Sequence, residues 1–275
     1  MVDLQKVFDR LKVAGIRLHP DKCRFCQKET KFLGHVVCAD GIKPDPDKVS
    51  AVMTFAAPRT LKQLRGFLGL SGYYRKFIDQ YANVATPLTD LLCKDRQYIW
   101  SRACQEAFET LKNKLCSAEV LAYPDEKLQK KLNTDASGRA ISGVLVQVMP
   151  DGKERPLGYF SRILRGPELA YFASEGECLA IVESVKHFRP YLYGRFFIVE
   201  TDHQALTTLQ RMVIVQKDPN SRFMRWSMAL QEYHYEILYK KGTLTASPGV
   251  HTRTTHRVTG TTSRRRSRVM EPESS

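Results

Sequence analysis

The sequence predicts a mixed α/β (α+β) fold, a mixed sheet covered by helices, preceded by a mostly helical segment. Three observations predict it. From about Lys130 to Tyr239 the apolar pattern reads strand, strand, strand, helix, strand, helix, helix, strand. The long helical stretch within that order, residues 175–191, places Cys178, Val182, Val185 and Leu192 on one stripe, a face that a sheet can bury. Residues 46–125 instead repeat their apolar positions at helical spacing between Pro- and Gly-marked turns. A length of 275 residues suits one or two domains with a sizeable core.

In chain order, Leu4, Val7, Phe8, Leu11 and Ala14 fall at helical spacing until Gly15 stops the pattern. Residues 22–26 and 30–38 then read as strands. Turns at 41–46 and 56–58 flank a short helix at 47–55. Thr60 suits the N-cap of a helix carrying Leu61, Leu64, Phe67, Leu68 and Leu70, with Lys62 and Arg65 on other faces. At its end Tyr73, Tyr74, Arg75 and Lys76 set rings beside positive charge, which can follow a sugar-phosphate backbone. A packed helix with a solvated basic rim gives the same pattern. Residues 100–115 form another amphipathic helix, and 120–124 leads into a strand ending at Asp135. Strands at 143–149 and near 156–163 join through a turn at Pro150-Asp151-Gly152. Residues 196–200 give the next strand.

The formal charge of +14 favours a polyanionic partner. The last thirty residues hold six arginines against two glutamates, so the remainder is still basic, at +10. No apolar run approaches a bilayer span, and the opening residues lack a signal-peptide pattern. The expectation is a soluble intracellular protein without a membrane partner. Seven cysteines at irregular spacing do not make a disulfide framework. Cys23, Cys26, His35 and Cys38 invite a zinc reading, but their spacing is not a familiar structural-zinc pattern, and buried thiols in strands are expected.

Three acids can meet at one strand end. Asp135 lies in LNTDAS at 132–137, Glu175 and Glu177 open the long helix, and Asp202 follows a strand. Carboxylates from separate elements suit Mg²⁺ or Mn²⁺, and two such ions can activate a water and steady the leaving oxygen of a phosphodiester. Taken singly, each acid is more often a solvated surface charge or a cap. Periodicity does not choose between Glu175 and Glu177, since both sit at the edges of the apolar stripe.

A series of motifs narrows the reading: FLGH at 32–35, RGFLGLSGYYRKFI at 65–78, PLTDLL at 87–92, TDAS at 134–137, ECLAIV at 177–182, RPYLYG at 189–194, TDHQAL at 201–206, and Arg225-Trp226. In this order, nearly end to end, the chain resembles the Pol polyprotein of gypsy-type LTR retrotransposons, from the late palm of reverse transcriptase into ribonuclease H. The resemblance implies an end of the palm at 1–45, with Phe32 and Gly34 in a hairpin that positions a primer terminus. It implies a thumb and connection at 46–125, lying along a template-primer duplex, and a ribonuclease H-like domain at 126–241. Residues 242–275 would be a disordered basic tail.

The resemblance assigns Asp135, Glu177 and Asp202 as catalytic metal ligands, selecting Glu177 because it directly precedes Cys-Leu-Ala-Ile. Hydrolysis of the RNA strand of an RNA/DNA hybrid is then expected. Lys62, Arg65, Tyr73, Tyr74, Arg75, Lys76, His203 and Arg225 are candidate nucleic-acid contacts, although His203 equally suits a cap or a packed position and Arg225 the cover of a core helix. The family's polymerase aspartates would precede Met1, so DNA synthesis by this chain alone is not expected. The remainder of the Pol polyprotein is a candidate partner, and a cytoplasmic particle or the nucleus the expected location. The chain departs from the family after Gly242, where residues 242–270 contain no acid and the fourth metal-site aspartate is missing. A frameshift, an alternative exon or decay would each give that pattern. Weakened catalysis and a non-catalytic nucleic-acid-binding remnant both follow from it.

Overall fold

The computed structural model describes residues 2–94, 96–203 and 222–240. Expectations for the tail at 242–275 lie outside them. The first helix, α1 (Val2–Val13), forms with the expected spacing, yet Leu4 and Val7 on its apolar face are exposed. A three-stranded antiparallel sheet follows, β1 (Glu29–Phe32), β2 (His35–Cys38) and β3 (Gly41–Pro44). The strand expected at 22–26 is absent, because a 3-10 turn at Pro20–Lys22 and a left-handed Cys26 (φ +54°) break the extended backbone. The run at 30–38 is two strands, since Leu33 (φ +44°) and Gly34 (φ +70°) close a two-residue hairpin. The thiols are correspondingly not buried as expected: Cys26 is exposed, and Cys23 and Cys38 are half-buried.

The helical segment comprises α2 (Pro46–Met53), α3 (Leu61–Tyr73), α4 (Tyr81–Asp90) and α5 (Arg102–Cys116). Their facing stripes share one core containing Val52, Leu64, Phe67, Leu88, Phe108 and Leu111. The start signal at Thr60 is realised as a cap, its hydroxyl accepting from the Gln63 N–H at 3.3 Å, and the structure adds a second at Ser101, which accepts from the Cys104 N–H at 3.3 Å. Thr60→Ala is therefore expected to destabilise the protein by about 1 kcal/mol, read as a melting midpoint lowered by roughly 2–4 °C.

The second sheet has five strands, β4 (Lys130–Ala136), β5 (Ala140–Val148), β6 (Glu154–Ile163), β7 (Phe196–Thr201) and β8 (His234–Tyr239), in the order β6-β5-β4-β7-β8. The first three strands pair antiparallel, whereas β7 runs parallel to both β4 and β8. The crossover carries α6 (Ala173–His187) and α7 (Arg189–Leu192), and α8 (Arg222–Leu230) precedes β8. The single helix expected at 175–191 is thus two, with Phe188 capping the first and Pro190 opening the second. Cys178, Ile181, Val182 and Val185 of α6 pack on Leu132, Leu145, Phe197 and Val199 of the sheet. Among the described residues no helix is long and apolar enough to cross a membrane.

Candidate active site

Parallel pairing of β4 and β7 sets the site. Their last registered pair is Asn133 with Glu200, and two residues further on each chain reaches an acid, Asp135 and Asp202. Both therefore emerge at the same edge of the sheet. Glu177, in the first turns of α6, is brought to that edge by the packing of the helix, and its Oε1 accepts from the Ala136 N–H at 3.1 Å. Glu175 faces elsewhere, accepting from the Phe172 N–H at 3.0 Å and pairing with Arg222 at 3.3 Å. Geometry thus separates two glutamates that periodicity could not.

The three acids repel one another in a partly dry setting. Glu177 is 7% exposed, and burial, then the charges of Asp202 and Asp135, push its carboxyl up to about 8. Burial and then the charge of Asp202 raise Asp135 also. Glu177 Oε2 is buried and has no hydrogen-bond partner among the described residues. A buried carboxylate oxygen left open beside two more carboxylates calls for a proton or a cation, and oxygen donors of this kind suit a hard divalent ion. Among the described residues, no three His, Cys, Asp or Glu side chains already stand in an ion-holding arrangement. The donor set and its charge fit Mg²⁺ or Mn²⁺; closing the three carboxylates on one point requires side-chain adjustment.

The helical segment docks against this edge. The Ala82 N–H donates to Ser161 Oγ at 3.0 Å, the Arg75 guanidinium donates to the Ser161 carbonyl, and Ser137 Oγ donates to Asn83 Oδ1 at 2.9 Å. Gln80 Nε2 donates to Asp135 Oδ2 at 3.2 Å. The adjoining cleft, of about 710 Å³, is lined by Asn83, Asp90, Arg96 and Arg139 among others. Asp90 pairs there with both Arg96 at 3.2 Å and Arg139 at 2.9 Å, so the lip keeps net positive charge.

The candidate nucleic-acid contacts divide. Lys62 and Arg65 are exposed on α3, Phe32 is exposed at the hairpin, and Arg225 is exposed on α8. Tyr74 is a correction: it is buried, and its hydroxyl donates to the Gly34 carbonyl at 2.7 Å, so it holds the hairpin to the helix. Tyr73, although exposed, donates its hydroxyl to the Leu33 carbonyl. Arg75 is likewise committed to Ser161 and lies over the Tyr81 ring. Lys76 is half-buried with its ammonium 5.2 Å from the centre of the Phe77 ring, and burial lowers its value. Gly34 is held by its left-handed turn beside Tyr73 and Tyr74. His203 is half-buried, with its backbone N–H donating to Thr201 Oγ1 at 3.2 Å. Gln80 was not legible as a site residue, because nothing local ties it to an acid 55 positions away.

Residues 100–199, which include Asp135 and Glu177, match the model of the RNase H-like domain found in reverse transcriptase. The retrovirus-related Pol polyprotein from transposon 297 of Drosophila melanogaster is 44% identical over 241 residues, 87% of this chain and 22% of that protein. The transposon Tf2-3 polyprotein of Schizosaccharomyces pombe is 35% identical over 241 residues, 87% of this chain and 18% of that protein. The chain thus spans about a fifth of the length of these relatives. The foamy viral protease-reverse transcriptase solved with RNA/DNA hybrid superposes at a TM-score of 0.71 and 21% identity, over 93% of this chain and 35% of that one. The fold is therefore RNase H-like, and the chain belongs to the Pol polyproteins of gypsy-type LTR retrotransposons.

Proposed function

We propose that the chain hydrolyses the RNA strand of RNA/DNA hybrids, with Asp135, Glu177 and Asp202 holding Mg²⁺ or Mn²⁺. The observation that carries this is the meeting of three acids from β4, α6 and the end of β7, one with an unpartnered buried oxygen. When bound, divalent ions supply Lewis-acid polarisation of the scissile phosphate and activation of a water. The protein's own part is placement. Exposed Lys62 and Arg65 grip phosphates, while Phe32, Arg225 and His203 offer rings and charge along the duplex. Contacts to the 2′-hydroxyl give selectivity for the RNA strand. The foamy viral enzyme that shares the fold was solved with a hybrid, which supports a duplex as substrate. The rest of a Pol polyprotein is the proposed partner, and a cytoplasmic particle or the nucleus the proposed location.

A second reading has specific support. Residues 242–270 contain no acid, so a fourth carboxylate does not come from that stretch, and no described trio already cages an ion. In that reading the chain grips duplex without cutting it. A labelled hybrid incubated with Mg²⁺ separates the two. Under the nuclease reading the RNA is cut, and Asp135→Asn lowers the rate by more than the ~10–100-fold that loss of a supporting partner of a metal ligand causes, with retention on hybrid unchanged. Retention with intact RNA in the wild-type chain would establish the binder.

A further inference from the structure

The contact between Gln80 and Asp135 joins the helical segment to the acids through one side chain. Gln80 immediately precedes α4 and adopts a left-handed backbone, φ +54° and ψ +32°. Three non-glycine residues among those described have positive φ, Cys26, Leu33 and Gln80, and of them Gln80 donates to a candidate site acid. Its position at the helix start is not used for capping, since the side chain makes no cap hydrogen bond. Flanking it on both sides are anchors to the sheet, from Arg75 and Ala82 to Ser161 and from Asn83 to Ser137. A left-handed glutamine fixed between such anchors is an outlier that aims a side-chain amide at one oxygen.

We infer that Gln80 is a positioning residue for Asp135: its amide fixes Oδ2 and so makes divalent-ion binding depend on docking of the helical segment. This rests on the reading of Asp135, Glu177 and Asp202 as an ion site. An outer partner of this kind sets the orientation of a ligating carboxylate and hence its affinity for the ion. Glycine accepts the left-handed conformation without strain, so Gln80→Gly removes the amide while favouring the backbone. Gln80→Met keeps the approximate length of the side chain and removes the amide, donor and acceptor together.

The test is a Mn²⁺ titration of the full chain followed by electron paramagnetic resonance, beside thermal melts in EDTA. Both variants are expected to bind Mn²⁺ about tenfold more weakly, with the melting midpoint of Gln80→Gly unchanged or raised. A purely structural role moves the melt instead. Mn²⁺ affinity within about twofold of wild type in both variants, against the ~10–100-fold range for such partners, overturns the inference, as does a loss that only follows a lowered melt. Asp135→Asn run alongside separates the causes. If it weakens Mn²⁺ binding while the Gln80 variants do not, the assignment of Gln80 alone fails; if it binds like wild type, the ion-site reading fails and takes this inference with it.

Discussion

Glu177→Gln is expected to make the chain more stable at neutral pH while removing hybrid cleavage. The carboxyl is buried at the sheet edge with one oxygen unpartnered, and burial with the charges of Asp202 and Asp135 moves it from 4.5 up to about 8. A carboxyl raised on folding binds its proton more tightly in the folded chain than in the unfolded one. Stability from this group therefore falls as pH rises from 4.5, and the whole penalty is present above about 8. At roughly 1.4 kcal/mol per pH unit, the penalty is of the order of 3 kcal/mol near neutrality and rises to about 5 kcal/mol above pH 8. Glutamine keeps the shape and the acceptor for the Ala136 N–H but never ionises. Its melting midpoint in EDTA should exceed that of wild type by roughly 6–12 °C at neutral pH and by more at pH 8, and the gap should close towards pH 4.5. Mg²⁺ should then raise the wild-type midpoint and leave that of the variant in place. Equal midpoints at pH 8 would show that Glu177 is not held charged against its neighbours.

Which parts of the fold could be read beforehand follows from how far apart the interacting residues lie in the chain. Caps and turns depend on near neighbours, so Thr60 and the turn at Asp151-Gly152 were legible from local spacing. The end of β4 at Asp135–Ala136 was legible for the same reason. Misreadings share a different cause. Leu33 looks like a strand residue until its positive φ turns the chain, and Cys26 hides the same conformation behind an apolar neighbour. Tyr74 carries the composition of a nucleic-acid contact, but it is buried and the hairpin, 40 positions away, claims its hydroxyl. Choosing Glu177 over Glu175 needed either the family motif or the packing of α6, because both lie at the edges of one stripe. Gln80 had no sequence signal at all.

Gly143→Ala is expected to be among the most damaging single-methyl additions in the protein. Gly143 lies within β5 opposite Thr134 of β4, beneath α6. A Cβ built there would stand 2.8 Å from Ser184 Cβ and 2.2 Å from Ser184 Oγ, so the helix or the strand must move. Overpacking of this kind costs about 1–3 kcal/mol, and the closeness of a Cβ rather than a flexible side-chain end places this case near the upper figure. The midpoint should fall by roughly 6–12 °C. Ser184 follows Glu177 by two helical turns on the same face, so a helix pushed off the sheet also draws Glu177 away from the Ala136 N–H. Cleavage and Mn²⁺ affinity should fall with stability. Ser184→Gly supplies the control, because Ser184 Oγ has no hydrogen-bond partner among the described residues, so that its removal strands none of them. Alone it should cost about 1 kcal/mol for a glycine within a helix. Combined with Gly143→Ala it should recover about 2 kcal/mol, a non-additivity expected only of residues in contact. Two independent, additive losses would mean that α6 does not rest on β5 at this point, and the route by which Glu177 reaches Asp135 would have to be redrawn.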